Sequence, residues 1–406
     1  MLTKLDNELA IERQKLNALL EITNSINKNY QVSELLNQFE NVMRYYIGVS
    51  RLAFINNRNN WKCILVFGIQ GDCSGFDKTK MLSIKKSTLL KEVSIKEFKD
   101  FDLILPVFHK GIPLSYILIG GIKETEMTSF ISGHVGFIKT ISNVVSVAIE
   151  TKALAKELLK KKLKEKDMKL AVLMQKLLLP SNLPSNQFID ISATYLAKEM
   201  VSGDYYDFIP INKNEYVFCI ADVSGKGISA ALLMSNFQAT LRANIKYNHN
   251  NLTITELVKE LNASVLSSAK GEKFITFFIG YYKESNRTLK YINAGHNCPI
   301  MVHKNTVTEL KTGCIALGIF EELPSIQVGK LIIEPNTVFA CYTDGMVEVE
   351  NEENIQFQNE RLTKAVKENS YLNMKEMNNA LFETINEYRG SKPYPDDTAV
   401  LSLRII

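Results

Sequence analysis

Aspartates recur beside glycine, or at the margin of an apolar run, in the carboxyl-terminal half of this 406-residue chain. They fall in four short segments, which are Gly203-Asp204, Ala221-Asp222, Thr343-Asp344-Gly345 and Asp396-Asp397. One Asp-Gly pair alone is usually a turn, because aspartate bonds its own backbone and glycine tolerates positive φ. Four such places together call for a chemical explanation.

The order of these aspartates along the chain predicts that they meet. Asp222 and Asp344 come directly after predicted apolar strands, whereas Asp396 and Asp397 come directly before the last predicted strand, Thr398–Ile405. If that strand runs antiparallel to the other two, all four carboxylates gather at one edge of the sheet. Clustered carboxylates repel one another and raise each other's pKa unless cations neutralise them, so the pattern predicts bound metal.

Oxygen ligands without a neighbouring His or Cys favour Mg²⁺ or Mn²⁺ over zinc or copper. Water held between two such cations loses a proton near neutral pH and becomes a nucleophile, and the cations also offset charge on a phosphoryl group. Hydrolysis of a phosphomonoester, which is extremely slow without a catalyst, suits a site of this kind.

Six segments together resemble the motif set of bacterial PPM-type serine phosphatases of the SpoIIE/RsbU class, over residues 175 to 406. In order they are Gln175-Lys176-Leu177-Leu178-Leu179-Pro180, Ser202-Gly203-Asp204-Tyr205-Tyr206-Asp207-Phe208, Ala221-Asp222-Val223-Ser224-Gly225-Lys226-Gly227, Asn293-Ala294-Gly295-His296-Asn297, Tyr342-Thr343-Asp344-Gly345 and Asp396-Asp397. The resemblance implies an α-β-β-α sandwich of two antiparallel sheets, two Mn²⁺ or Mg²⁺ ions, and hydrolysis of phosphoserine or phosphothreonine on a small protein.

The resemblance also implies roles for individual residues. Asp222 matches the carboxylate shared by the two ions, and the Val223 carbonyl matches a backbone ligand. Asp344 and Asp396 match ligands of the second ion, and Asp204 matches an early acidic residue that supports the first ion. The family usually has Asp-Asp, any residue, then Thr, so the threonine at 398 leaves Asp397 as an alternative ligand to Asp396.

Three other residues in these motifs have ordinary explanations. His296 follows a predicted strand in a turn, where a structural role is commoner than acid catalysis, and we leave it out of the catalytic set. Asp207 is expected to be a surface acid of a strand. Lys226 is followed by glycine instead of Ser or Thr, so Gly225-Lys226-Gly227 is no nucleotide-binding P-loop.

The elements around the aspartates mix strands and amphipathic helices, so the fold class is α+β. A new domain begins near residue 180, after Pro180-Ser181-Asn182-Leu183-Pro184, and we assign 180–406 to the phosphatase domain. Residues 151–179 contain no Gly or Pro and predict one long lysine-rich helix, a linker. Leu163, Leu170 and Leu177 recur every seven residues there, which favours a homodimeric coiled coil over a solvated helix that packs on a neighbour.

Residues 14–150 predict a helix, short strands, a hairpin near 109–111 and a closing helix. This order resembles a GAF-type sensory domain, most clearly in 102–107 and 114–120, and a plain α+β packing domain is the alternative. The resemblance implies that a small ligand or a protein binds there, although the residues identify no particular ligand.

Composition excludes several classes of protein. Lys and Arg number 48 against 44 Asp and Glu, so the net charge of +4 gives no sign of nucleic-acid binding, and a metal-dependent nuclease or phosphodiesterase is disfavoured. No run of 18 apolar residues and no apolar signal core occurs, and the six cysteines form no CxxC pair. We therefore expect a cytoplasmic protein with no membrane role.

Taken together, the residues and the resemblance predict a phosphoprotein phosphatase under the control of the amino-terminal domain. The substrate class that the resemblance implies is a phosphorylated STAS-domain protein, an antagonist of an anti-sigma factor. The alternative is a catalytically inactive signalling scaffold with the same fold, which the presence of Asp204, Asp222, Asp344 and Asp396 disfavours.

Overall fold

The computed structural model describes residues 2–57, 61–69, 78–92, 98–198, 201–248 and 253–406. The chain divides into two compact units, residues 1–163 and 164–406, which are described separately below. None of the helices within the described ranges is long and apolar enough to cross a membrane. Cys73, one of the six cysteines, lies outside the described residues.

The amino-terminal unit combines helices with one antiparallel sheet. Helices α1 and α2 and a single π-helical turn precede the sheet, and they span Leu2–Asn27, Val32–Asn41 and Val42–Tyr46. A capping box between Gln31 and Glu34 starts α2 by satisfying backbone N–H groups that the first turn leaves free. A short helix, α3, spans Lys78–Ser83. The predicted start with helices is confirmed.

Five strands form that sheet, in the order β2-β1-β5-β4-β3. They are β1 Arg51–Asn56, β2 Lys62–Phe67, β3 Thr88–Leu89, β4 Leu103–His109 and β5 Ile112–Gly120. The predicted hairpin joins β4 to β5 through Lys110 and Gly111, which both have positive φ. Alternating side chains of β1 enter two apolar clusters on opposite faces, with Phe54 on one face and Ile55 on the other. The assignment of 14–150 to a GAF-type domain stays a prediction.

Helix α4, Met127–Leu178, runs for 52 residues, so the predicted single long helix is confirmed. Its three heptad leucines are exposed: Leu163 by 54%, Leu170 by 48% and Leu177 by 77%. Exposure of an apolar stripe is compatible with a coiled-coil seam, and the homodimer stays a prediction.

The carboxyl-terminal unit contains two antiparallel sheets. The first has the order β13-β10-β9-β8-β7, with β14 paired to β10, and the second has the order β12-β11-β15-β16-β6. The strands of the first sheet are β7 Tyr205–Asn212, β8 Glu215–Val223, β9 Ile275–Lys283, β10 Thr288–Ala294, β13 Gly313–Cys314 and β14 Gly329–Ile332. The strands of the second sheet are β6 Ile189–Leu196, β11 Ile300–His303, β12 Thr306–Glu309, β15 Thr337–Tyr342 and β16 Thr398–Ile405.

Two pairs of helices cover the outer faces of these sheets. Helices α5 (Ile228–Asn248) and α6 (Ile254–Ala269) share an apolar core with the first sheet. Helices α7 (Gln358–Asn369) and α8 (Met374–Arg389) share another with the second sheet. The result is the predicted four-layer α-β-β-α sandwich.

Strict alternation along β15 shows why the two sheets stack. Phe339 and Cys341 belong to the core between the sheets, whereas Val338, Ala340 and Tyr342 belong to the core beneath α7 and α8. Phe339 meets Phe218 of β8 with ring centroids 5.9 Å apart. Because all five side chains are buried, this strand is apolar on both faces, and each large side chain adds about 2 kcal/mol of hydrophobic stabilisation.

One prediction about the sheet is wrong. The strands that carry the aspartates belong to two sheets, because β8 lies in the first and β15 and β16 lie in the second. The antiparallel pairing of β15 with β16 is confirmed, which brings the end of β15 beside the start of β16. The aspartates therefore meet across the sandwich instead of along one sheet edge. The sequence did not predict four strands of this unit, β7, β12, β13 and β14, or helix α7.

Candidate metal centre

Asp222 lies near the end of β8 and faces the centre of the cluster. Its backbone is paired with Thr276 of β9, and the next residue, Val223, ends the strand. Burial is the largest cause that raises the pKa of Asp222 to about 7, and the charge of Asp344 is the next. A carboxyl with this pKa is partly protonated at pH 7 unless a bound cation replaces the proton.

Asp204 is held rigidly in the loop before β7. Gln175 of α4 donates to the Ser202 carbonyl at 2.6 Å and accepts from the Ser202 N–H at 3.1 Å, which fixes the loop. Ser202 Oγ in turn accepts the Asp204 N–H at 3.0 Å. The Asp204 side chain is only 2% exposed, and Thr343 Oγ1 donates to its Oδ2 at 2.9 Å. Burial first, and the charge of Asp222 second, raise the pKa of Asp204 well above its ordinary value.

Asp344 begins the single 3-10 turn Asp344–Met346 that follows β15. The glycine after it is required by packing: a Cβ added to Gly345 would lie 2.0 Å from the Asp397 carbonyl oxygen. The Asp-Gly pair therefore marks a close approach of two backbones, and it brings the β15 end against the residues that start β16. Burial and then the Asp396 charge raise the pKa of Asp344.

Asp396 and Asp397 point to different partners. Asp396 Oδ2 forms an ion pair with Lys226 Nζ at 2.6 Å, and its Oδ1 accepts the Asp397 N–H at 2.8 Å. Asp397 is 7% exposed, and its Oδ1 accepts the Lys198 N–H at 2.8 Å. Neither arrangement singles out one of the two as a ligand, so the choice between them stays open.

The backbone carbonyl of Val223, predicted as a ligand, faces the loop that carries Asp204. A Cβ added to Gly203 would lie 2.9 Å from that carbonyl oxygen, so only glycine allows the loop to come this close. The Val223 carbonyl oxygen therefore lies at the end of β8, against the loop that carries Asp204. Its role as a ligand stays a prediction.

The four predicted catalytic aspartates act on one another electrostatically. Asp222 is affected by the charges of Asp344, Asp396 and Asp397, and Asp204 is affected by Asp222 and Asp344. The raised pKa values of Asp204, Asp222 and Asp344 are those expected of carboxylates gathered without enough positive charge. The donors are all oxygen atoms, a set that suits Mg²⁺ or Mn²⁺.

The cluster is not a finished coordination shell. Within the part of the chain that the structure describes, no three His, Cys, Asp or Glu side chains converge closely enough to hold a metal ion as they stand. The ion pair of Asp396 with Lys226 turns one carboxylate oxygen towards an ammonium group. A cation that binds this oxygen would therefore meet an ammonium group that already contacts it.

The expectation that Asp207 is a surface acid is wrong, because its side chain is fully buried. Arg242 of α5 binds it through two hydrogen bonds, at 2.7 and 2.9 Å, and Tyr205 donates to it at 2.5 Å. With its charge balanced by a guanidinium, Asp207 has the contacts of a structural residue.

His296 is buried as well, and its contacts agree with a structural role. Its ring Nδ1 lies 2.8 Å from Thr276 Oγ1, and its backbone N–H donates to Asn293 Oδ1 at 2.8 Å. Burial lowers the pKa of His296 to about 4, so the ring is neutral at pH 7. Through Thr276 it supports β9 beside Asp222.

Sequence reasoning missed two side chains at this site. Thr343 is the hydrogen-bond donor to Asp204, and it also accepts the Ala399 N–H at 2.8 Å, so it ties β15 to β16. Lys226 was excluded only as part of a P-loop. The available signal was its position: Lys226 lies between two glycines, three residues after Val223, whose carbonyl was a predicted metal ligand.

The carboxyl-terminal residues 212–406 match the family model described as Stage II sporulation protein E (SpoIIE). The chain is 27% identical over 245 residues to "Phosphoserine phosphatase RsbU" of Bacillus subtilis (strain 168), which covers 59% of this chain and 70% of that protein. It is 26% identical over 187 residues to "Phosphoserine phosphatase RsbP" of the same organism, which covers 45% of this chain and 46% of RsbP.

A solved structure shares the fold. The SiaA-PP2C domain of Pseudomonas aeruginosa is similar with a TM-score of 0.55 at 20% identity, covering 61% of this chain and 99% of that domain. The predicted PPM-type sandwich is thereby confirmed as a PP2C phosphatase fold.

Proposed function

We propose that the chain is a metal-dependent protein serine/threonine phosphatase that uses two Mn²⁺ or Mg²⁺ ions. One observation carries the proposal: Asp204, Asp222, Asp344 and Asp396 come from the ends of strands in two different sheets, and their charges are only partly balanced, by Lys226 at Asp396. A fold has no structural reason to gather four acids at this cost in repulsion. Similarity to RsbU and RsbP supports the same activity.

Each residue would have a distinct part. Asp222 would bridge the two ions, and Asp344 with Asp396 or Asp397 would hold the second. Asp204 and the Val223 carbonyl would support the first. When bound, the cations lower the pKa of a water nucleophile and offset charge on the phosphoryl group. Thr343 and the Gln175–Ser202 pair keep Asp204 in place, which limits the reorganisation needed during the reaction.

The substrate that we propose is a phosphorylated STAS-domain protein that antagonises an anti-sigma factor. The motif set that the chain shares with the SpoIIE/RsbU class supports this choice. We also propose that the amino-terminal unit, residues 14–150 in our assignment, senses a small ligand or a protein and controls the phosphatase through the helical linker 151–179. A homodimer through this helix would provide the coupling.

The proposal is tested by the metal dependence of hydrolysis by the full-length chain. The assay uses p-nitrophenyl phosphate and a phosphoserine-containing STAS-domain protein, with Mn²⁺, with Mg²⁺ and with excess chelator. We expect hydrolysis with metal, and its loss in chelator with recovery after the metal is restored. Hydrolysis unaffected by chelation would contradict the metal centre.

The scaffold alternative predicts a different result. A catalytically inactive protein would hydrolyse neither substrate with any metal, although it would still bind the phosphorylated partner. Partner binding is therefore measured in parallel. A scaffold binds the phosphorylated partner and hydrolyses nothing, whereas an enzyme tested with the wrong phosphoprotein still hydrolyses the small phosphomonoester.

A further inference from the structure

The ammonium of Lys226 lies against the aspartate cluster. It lies in the turn between β8 and α5, and its Nζ is 2.6 Å from Asp396 Oδ2 and 3.4 Å from the Pro395 carbonyl oxygen. The two charged side chains are partly exposed, Lys226 by 41% and Asp396 by 28%. The lysine therefore contacts a predicted metal ligand directly.

Its influence extends beyond this contact. Burial and neighbouring acids raise the pKa of Asp344 and of Glu348, and Lys226 acts on both in the opposite direction. One ammonium group thus balances part of the charge of three carboxylates. A divalent cation at this place would balance the same charges.

Binding of Lys226 and of a divalent cation to Asp396 at the same time is unfavourable. A carboxylate oxygen that binds Mg²⁺ lies about 2.0–2.1 Å from the ion. An ammonium 2.6 Å from that same oxygen would then lie within a few ångströms of the metal, where like charges repel strongly even after solvent screening. A cation that binds Asp396 through Oδ2 therefore competes with Lys226 for this oxygen.

We propose that the Lys226 ammonium competes with the second divalent cation for Asp396 and so lowers the metal affinity of the cluster. The inference rests on the proposed function, because it takes Asp396 as a metal ligand. Lys226 is a positioning residue in this account: it sets how much metal is needed for the carboxylates to close around the ions.

A purely structural ion pair makes the opposite prediction. If the Lys226 ion pair only held the residues before β16 against the turn after β8, its loss would leave the Asp396 side chain mobile. Metal binding would then be weaker or unchanged. The sign of the change in metal affinity therefore decides between the two roles.

The test is a calorimetric titration of the full-length chain with Mn²⁺, using Lys226→Met, Lys226→Arg and a matched control. Lys283→Met is that control, because Lys283 is 44% exposed and pairs with Glu215 at 2.7 Å. Glu215 lies seven residues from Asp222 on β8, about 23 Å away at the rise of a strand. The same charge is thus removed far from the cluster.

We expect Lys226→Met to bind Mn²⁺ roughly fivefold more tightly than the parent, since an exposed ion pair no longer has to be broken. Lys226→Arg, which keeps the charge, should stay near the parent, and so should Lys283→Met. Binding that appears only in Lys226→Met would support the proposal most strongly. Unchanged or weaker binding in Lys226→Met, an equal gain in Lys283→Met, or no binding to any variant would overturn it.

The outcome is separable from that of the proposed function. If the parent hydrolyses phosphoserine with Mn²⁺ and loses this activity in chelator, the phosphatase assignment stands even when the Lys226→Met isotherm is unchanged. Thermal unfolding in chelator reports whether each variant folds, and both lysines are exposed enough for substitution to leave the core intact.

Discussion

Two kinds of acid lie three residues apart where β7 begins, and their surroundings differ in one respect. Asp207 is fully buried, and a guanidinium with two hydrogen bonds, together with the Tyr205 hydroxyl, satisfies its charge. Asp204 is 2% exposed, yet its described side-chain partner is the neutral hydroxyl of Thr343, and its charged neighbours are other aspartates.

The difference shows how a structural carboxylate can be told from a functional one. Burial of a charge is expensive, and folds normally compensate it with a paired charge. The Asp207 group follows this rule, so it contributes to stability within the protein itself. The cluster around Asp204 and Asp222 breaks the rule, which is what we expect where an external cation completes the site.

The largest expected effect is on turnover after loss of a cluster carboxylate. Asp222→Asn and Asp344→Asn should each lower kcat for a phosphoserine protein by about two orders of magnitude or more, because each removes a charged metal ligand. The fold should survive, since the substitution opens no cavity. The control is Asp207→Asn, which should keep most of its activity per folded molecule. An equal loss of kcat in all three variants would contradict the difference in role between Asp207 and the cluster aspartates.

Comparison of Asp396→Asn with Asp397→Asn resolves which residue is the ligand. We predict that Asp396→Asn costs at least about tenfold more in kcat/KM at limiting Mn²⁺, since its carboxylate already faces the cation Lys226. In Asp397→Asn, the amide oxygen of the new side chain can still accept the Lys198 N–H. A larger loss in Asp397→Asn would reverse the assignment.

A moderate effect on stability is expected at the structural acid. Asp207→Asn removes the negative charge beneath Arg242 and should lower the free energy of unfolding by about 2 kcal/mol, less than for a fully buried pair because Arg242 is 44% exposed. Chemical denaturation of the full-length chain, followed by the transition of the carboxyl-terminal unit, measures this. An Asp222→Asn variant in chelator should equal or exceed the parent in stability; a loss similar to that of Asp207→Asn would contradict the comparison.

The cluster should also make stability depend on pH in chelator. The pKa of Asp222 is about 7 in the folded chain and near 3.9 when unfolded, so the folded state binds more protons between these values. Stability is then complete below pH 4 with respect to this group and falls as pH rises towards 7. Thermal denaturation from pH 5 to pH 8 should show a decline that Asp222→Asn or saturating Mn²⁺ reduces; the same decline in all three samples would assign it to other groups.

How much the sequence predicts depends on the range of the interaction. Alternation along residues 398–405 and the absence of Gly and Pro from 151–179 are local signals, and the strand and the long helix that they predict are present. Strand β7 was missed because Asp204 and Asp207 made its start resemble only a motif, and Pro210 interrupts its apolar pattern. Strand preference there is decided by pairing with β8, which no local pattern records.

The site shows the same division. The aspartates were found from their positions beside strands, but their meeting across two sheets depends on how the sheets stack. The Asp207–Arg242 pair joins residues 35 apart, and the Lys226–Asp396 pair joins residues 170 apart, so neither has a signature in the sequence. Such contacts form only when the chain has folded. They distinguish Asp207, whose charge is paired, from the aspartates of the cluster.

The stoichiometry of Mn²⁺ binding tests the central claim most directly, namely that the unbalanced aspartate cluster is completed by cations. Calorimetric titration of the full-length chain should show two Mn²⁺ ions per chain in the parent and in Asp207→Asn, and loss of at least one of them in Asp222→Asn. Two ions bound equally by all three proteins, or none bound by the parent, would contradict the account.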